Sequence, residues 1–201
     1  MIGAHRRETW RRGLLIVTAG LVVGVLTSFG QKHLSGALNA LVNSASAWLV
    51  APFFVGSRMP SRRSAAIAGL TVCALQLVGY YATTELRGFS AGGAIVTFWA
   101  ACAVVGGPLF GVAGHIWHKG PASLRGLGGT VLPAAFIAEG VWSYVHQLHY
   151  YGTAALWFGI AVALALLLNR HHPADLRWLP LTVILGLAGE IVISTIYRQS
   201  F

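Results

Sequence analysis

AGGAIVTFWAACAVVGGPLFGVAGH, residues 91–115, runs its whole length without an Asp, Glu, Lys or Arg. As an α-helix rising 1.5 Å per residue it is about 37 Å long, more than the roughly 30 Å hydrocarbon core of a bilayer. A stretch of this length and apolarity predicts a membrane-spanning helix. Working outward from it finds the same texture at residues 14–29, 35–56, 64–84, 126–145, 153–168 and 179–197, joined by short links. Seven spans are expected, or six if the second or sixth segment does not cross. The second carries Asn39, Asn43, Ser44 and Ser46 and is polar enough to be re-entrant, and the sixth is short. The expected fold class is an all-α polytopic transmembrane bundle, one integral membrane domain over residues 1–201.

Composition agrees. Apolar residues make up 56% of the chain and charged ones 9%, with a mean hydropathy of +0.68, whereas soluble domains carry about 25% charged residues. A formal charge of +9 would suit nucleic acid if the bases were grouped, but they are scattered among short loops, with no basic run interleaved with aromatics. Nucleic acid is therefore not expected as a partner, and the lipid bilayer is. Eleven of the fourteen Lys and Arg residues fall on alternate links: Arg6, Arg7, Arg11 and Arg12; Arg58, Arg62 and Arg63; Lys119 and Arg125; Arg170 and Arg177. The positive-inside rule then places the N-terminus in the cytoplasm and the C-terminus outside. The basic N-terminus, which also includes His5, leads into an apolar run as a signal sequence does. No small-x-small cleavage site or lipobox cysteine follows, so an uncleaved first helix is expected.

Two glutamates, Glu139 and Glu190, stand alone inside apolar segments, in a chain with only five acidic residues. An ionised side chain at the centre of a span costs about 2.5–3.5 kcal/mol on insertion scales, so such residues usually face protein or a wet cavity and mark a site. Both head the pattern E-x-V-x-S-x-[VI]-[HY]. Positions i, i+4 and i+7 share a helical face, so Glu139, Ser143 and His146 form one polar stripe and Glu190, Ser194 and Tyr197 another. Counted from the inner ends of their segments, both carboxylates lie beyond the membrane midplane. Gln76 on the third segment and Asn43 on the second are further candidates to line the same outward-facing pocket. A packing role for each glutamate, hydrogen-bonded to a neighbouring helix, is the competing reading.

Other polar groups have plainer explanations. His115 with His118, and His146 with His149, have His-x-x-His spacing, but the pairs lie at opposite ends of the bundle and each is short of zinc ligands. They read as interfacial histidines, His146 and His149 being weak metal candidates only. Cys73 and Cys102 read as small apolar filler. Gly20-x-x-x-Gly24 and Gly107-x-x-x-Gly111 predict close helix packing. No nucleotide loop, nucleophile elbow or zincin motif occurs, no cofactor is called for, and an enzyme is the lesser expectation. An intramembrane enzyme would use Glu139 and His146 as acid and base.

The stretches Gly24-x-x-Thr27-x-x-Gly30-Gln31, Val42-Asn43-Ser44-Ala45-Ser46-Ala47-Trp48, Gly106-Gly107-Pro108-Leu109-Phe110-Gly111-x-x-Gly114 and Glu139-Gly140 resemble an uncharacterised family of small bacterial multi-pass membrane proteins. The resemblance implies a shared fold and a bacterial plasma (inner) membrane location, and it brings no activity to carry over. Size and helix density also resemble the substrate-binding subunits of vitamin uptake transporters, whose six helices differ from the seven spans here. The expected function is binding or transport of a small solute or cation, with Glu139 and Glu190 as proton- or ion-linked groups. The alternative is a non-catalytic assembly or regulatory subunit with a membrane-protein partner.

Overall fold

The computed structural model describes residues 2–200 and the side chains of residues 8–199. Of the basic N-terminal cluster, the side chains of His5, Arg6 and Arg7 lie outside the described residues. Every described element is helical: α1 (Ile2–His33), α2 (Gly36–Val42), α3 (Ala45–Ser57), α4 (Arg62–Leu86), α5 (Gly93–Lys119), α6 (Ala122–Glu139), a π-helical segment (Gly140–Gln147), α7 (Tyr151–Asn169), a 3-10 segment (Pro173–Trp178) and α8 (Leu179–Ser200). No strand occurs among the described residues. Local chemistry sets several ends. Ser61 and Ser64 form a reciprocal capping box at the start of α4, satisfying amides that lack intrahelical partners. Gly88, at φ 82, closes α4. Its amide bonds to the Glu85 carbonyl at 2.8 Å and that of Phe89 to Thr84 at 3.1 Å, the Schellman arrangement that needs a left-handed residue.

Five helices are long and apolar enough to cross a membrane: those over Glu8–His33, Arg62–Leu86, Gly93–Lys119, Tyr151–Asn169 and Pro173–Gln199. The pair α2 and α3 meets the same measure as one unit but is bent by 51° at its break. The second segment of the sequence is thus a broken helix, parted where Asn43 and Ser44 stand. α6 is not among the five. It packs against α3, α5, α7 and α8, and Gly126, Gly128, Gly129, Thr130, Leu132, Pro133, Ala134, Phe136, Ala138 and Glu139 are buried. A helix surrounded by protein has no need of a lipid-compatible face, so small and polar residues are tolerated there.

Close backbone approach holds the other half together. A Cβ added at Gly24 of α1 would overlap the Gln76 carbonyl of α4, and one at Gly69 of α4 the Gly107 carbonyl of α5. The small-residue motifs of α1 and α5 thus meet the same partner, α4. Around α6 the core is larger. Phe53, Phe110, Leu132, Phe136, Tyr144 and Trp157 form one buried cluster, with the Tyr144 and Trp157 rings in tilted contact at 4.5 Å.

Candidate functional site

The break between α2 and α3 leaves an α-helical N-terminus inside the protein, where the first amides have no intrahelical partner and the helix dipole presents its positive end. Ser44 caps it, accepting from the Ala47 amide at 3.2 Å. Glu139, only 6% exposed, comes from the last turn of α6 to meet this end. Its Oε2 accepts from Ser44 Oγ at 2.7 Å, from the Ser46 amide at 3.0 Å and from Ser46 Oγ. The opposite end of α3 is answered in kind. Lys119, at the end of α5, donates to the carbonyls of Met59 (3.0 Å) and Arg58 (3.4 Å), and His115 Nδ1 lies 3.1 Å from the same Met59 carbonyl. A short buried helix is thus held between an acid at its positive end and a base at its negative end, each from another helix.

Directly after Glu139 the chain enters the π-helical segment, whose wide turns show in bonds from the Leu148 amide to Ser143 (3.0 Å) and from Tyr150 to Tyr144 (2.7 Å). Such segments occur often at functional sites. Here it aims Trp142 and Ser143 at α8. Ser143 Oγ donates to Glu190 Oε1 at 2.7 Å, and Trp142 Nε1 donates to Ser194 Oγ at 2.7 Å. Of the two stripes expected from the sequence, only Ser143 and Glu190 meet directly; Trp142, outside both, reaches Ser194, while Glu139 faces α3 and Tyr197 faces α5. Glu190 is half-buried, and Ser143 is its one hydrogen-bond donor among the described residues. Tyr197 packs its ring against Phe98 at 5.5 Å and Trp99 at 6.4 Å, both on α5. His146 is exposed and stacks on Trp142 at 4.6 Å.

Asn43 and Gln76 belong to a neighbouring polar region between α1, α2 and α4. Tyr80 Oη donates to Gln31 Oε1 at 2.9 Å. Gln31 Nε2 donates to Asn43 Oδ1, and Asn43 Nδ2 donates back to the Asn39 carbonyl at 2.9 Å. Asn43 thus ends α2 while the next residue starts α3. Gln76 is fully buried, its Nε2 donating to the Trp48 carbonyl at 3.0 Å and its Oε1 without a partner. A cleft of about 200 Å³ opens nearby, lined by Val23, Leu26, Thr27, Leu41, Val42, Ala47 and Trp48. Neither glutamate lines it.

A family model described as "Family of unknown function (DUF6518)" matches residues 3–198. The chain belongs to this family. No curated protein and no solved structure matches it. An uncharacterised family was expected, and DUF6518, a family of unknown function, covers nearly the whole chain.

Among the described residues, no group of three or more His, Cys, Asp or Glu side chains is placed to hold a metal. His149 sits at φ 56 after the π-helical segment, its ring 6.4 Å from that of Tyr151. Glu139, the acid of the enzyme alternative, makes its hydrogen bonds to Ser44 and Ser46, not to His146. Sequence reasoning missed Trp142 beside α8, and Lys119 and His115 at the far end of α3. Trp142 carried no polar signal, and Lys119 and His115 read as loop charge and interfacial histidine. Ser44 and Ser46 were visible as polar residues, but their partner lies more than ninety positions away.

Proposed function

We propose that this protein binds a small cationic or proton-bearing solute at Glu190, as part of its uptake or sensing across a bacterial plasma membrane. Glu139 is the fixed charge that holds α3 beside the site. The observation that carries this reading is the unequal treatment of the two carboxylates. Glu139 is surrounded by three donors at a helix N-terminus, whereas Glu190 is half-buried with one. A carboxylate kept in an apolar setting with spare acceptor capacity suits exchange of a proton or cation. Ser143 donates to it and Ser194, Tyr197 and His146 are further candidates along α8 and the π-helical segment, whereas Asn43 and Gln76 belong to the separate polar region of α1, α2 and α4.

In this reading the chain is one membrane domain crossing seven times, with α2 and α3 as a broken span and α6 with its π-helical extension as a buried one. The N-terminus is cytoplasmic, and Glu190 opens to the outer half. The experiment is cation addition to purified protein in weakly buffered detergent solution. The wild type should release protons, and Glu190→Gln should release none while melting near the wild type. Equal release from both would sink the proposal.

One observation favours a second reading. α8 turns Leu181, Ile184, Leu185, Val192 and Ile196 outward, all substantially exposed, a face that suits lipid or a partner helix equally. Recovery of a stoichiometric membrane partner with no retained small molecule would favour an assembly or regulatory subunit.

A further inference from the structure

We infer that the cleft between α1, α2 and α3 is a binding site for a small neutral amphiphile: an apolar body about the size of one aromatic ring, carrying a single hydrogen-bonding group. The site is separate from Glu190, since neither glutamate lines the cleft. Val23 and Leu26 of α1, Leu41 and Val42 of α2 and Trp48 of α3 make its walls, and no lining residue is charged. An ion would lose its hydration there and gain no partner. At about 200 Å³ the cleft is smaller than the roughly 300–1,000 Å³ of drug-sized sites and larger than the cavity of about 150 Å³ that takes up benzene. Thr27 supplies the polar contact. It is 5% exposed and lines the cleft, and its hydroxyl makes no hydrogen bond among the described residues. Six other threonines, Thr84 and Thr130 among them, donate instead to the carbonyl four residues back in their own helix. A nearly buried hydroxyl left without a partner costs about 1–3 kcal/mol, which a ligand that bonds it recovers. A lipid acyl chain has no group to offer it.

α2 is the lid of this site. It packs on α1 and α7, yet none of its residues is buried. A pivot stands at each end. Gly36 has φ 56, with no atom within 4 Å of where a Cβ would stand, and the 51° break follows at Asn43 and Ser44. Side-chain amides latch the lid to α1: Asn39 Nδ2 donates to the carbonyls of Gln31 at 3.0 Å and Leu34 at 3.1 Å, and Gln31 Nε2 donates to Asn43 Oδ1. Release of these few bonds lifts Leu41 and Val42 from the cleft and admits the ligand.

The test is fluorine NMR titration of the full chain in phosphatidylcholine nanodiscs with para-fluorophenol and with fluorobenzene, empty nanodiscs giving the partition into lipid. Para-fluorophenol should bind saturably. Thr27→Val keeps the shape of the wall and removes the hydroxyl, so it should weaken para-fluorophenol roughly three- to tenfold and leave fluorobenzene unchanged. Ala47→Phe fills the cleft and should abolish binding of both. Ligand should also slow hydrogen exchange across residues 36–43; exchange that does not change there would overturn the role of α2 as lid. Binding that survives Ala47→Phe, or an equal response of the two probes to Thr27→Val, would overturn the site. A phospholipid that co-purifies with the wild type and is lost in Ala47→Phe, with no binding of para-fluorophenol, would overturn it in favour of lipid. Thr27→Val preserves volume, so the hydroxyl contact is still read should Ala47→Phe fail to fold.

Discussion

Glu139→Gln removes one charge and almost no volume from the N-terminus of α3, which makes it the sharpest probe of how the break is held. Three donors converge on Oε2: Ser44 Oγ at 2.7 Å, the Ser46 amide at 3.0 Å and Ser46 Oγ. Hydrogen bonds to a charged group contribute about 1.5–3 kcal/mol, against about 1 kcal/mol for neutral pairs, and a charge at a partly buried helix terminus contributes up to about 2 kcal/mol. These terms overlap, because the Ser46 amide belongs to both, so the expected loss is about 3 kcal/mol. For a chain of this size that lowers the melting temperature by roughly 6–12 °C. The assay is thermal unfolding in detergent by near-UV circular dichroism, for Glu139→Gln, Ser46→Ala and the double variant. Ser46→Ala should cost much less in the Gln background than in the wild type, since the two residues share one interaction. A Glu139→Gln protein melting within about 2 °C of the wild type, or a Ser46→Ala cost equal in both backgrounds, would refute the reasoning.

Gly69→Val drives side-chain atoms into the Gly107 carbonyl of α5, and overpacking on this scale should cost about 3 kcal/mol, read as a lower denaturation midpoint in SDS titration. Lys119→Ala should loosen the end of α3 by about 0.5 kcal/mol, the side chain being exposed, seen as faster hydrogen exchange near residues 57–60 with little change around residues 44–47. Cys73 is 4% exposed and Cys102 half-buried, so a lipid-soluble maleimide should modify Cys102 well before Cys73 in the folded protein, and mass spectrometry of the peptides will show the order.

The elements were legible where periodicity and composition act locally. Residues 91–115 read as a span because nothing interrupts them, and α5 covers Gly93–Lys119. Asn43 and Ser44 marked a weak point in the second segment, because residues that bond their own backbone favour caps over helix interiors. The helix breaks there. α6 was harder to read. Its segment looked like one more span, yet its glycines and Thr130 reflect a helix enclosed by protein. Within the site, the spacing put Glu139 and Ser143 on one α-helical face, but residues 140–147 are π-helical and the two part, Glu139 to α3 and Ser143 to Glu190. The spacing did not say that Ser143 would reach Glu190 or that the Trp142 indole would reach Ser194. Those contacts depend on the extra residue per turn of the π-helical segment, and nothing in local propensity signals it. The bond from Glu139 to Ser44 and Ser46 was equally hidden, being a matter of how α6 lies against α3.

The holding of α3 by residues from later helices bears on how the chain is made. Ser44 leaves the ribosome 95 residues before Glu139, and Arg58 leaves 61 residues before Lys119. Through that interval both ends of α3 lack their partners, and unpaired backbone groups are costly in a bilayer. A chain stopped after α4 would have α3 against α1 and α4 but without the acid and the base that meet its two ends. Nascent chains stopped after α4 should stay open to protease in residues 36–57 and become protected once α6 has followed. Protection that is already complete before α6 would show that α1 and α4 suffice to place the broken segment.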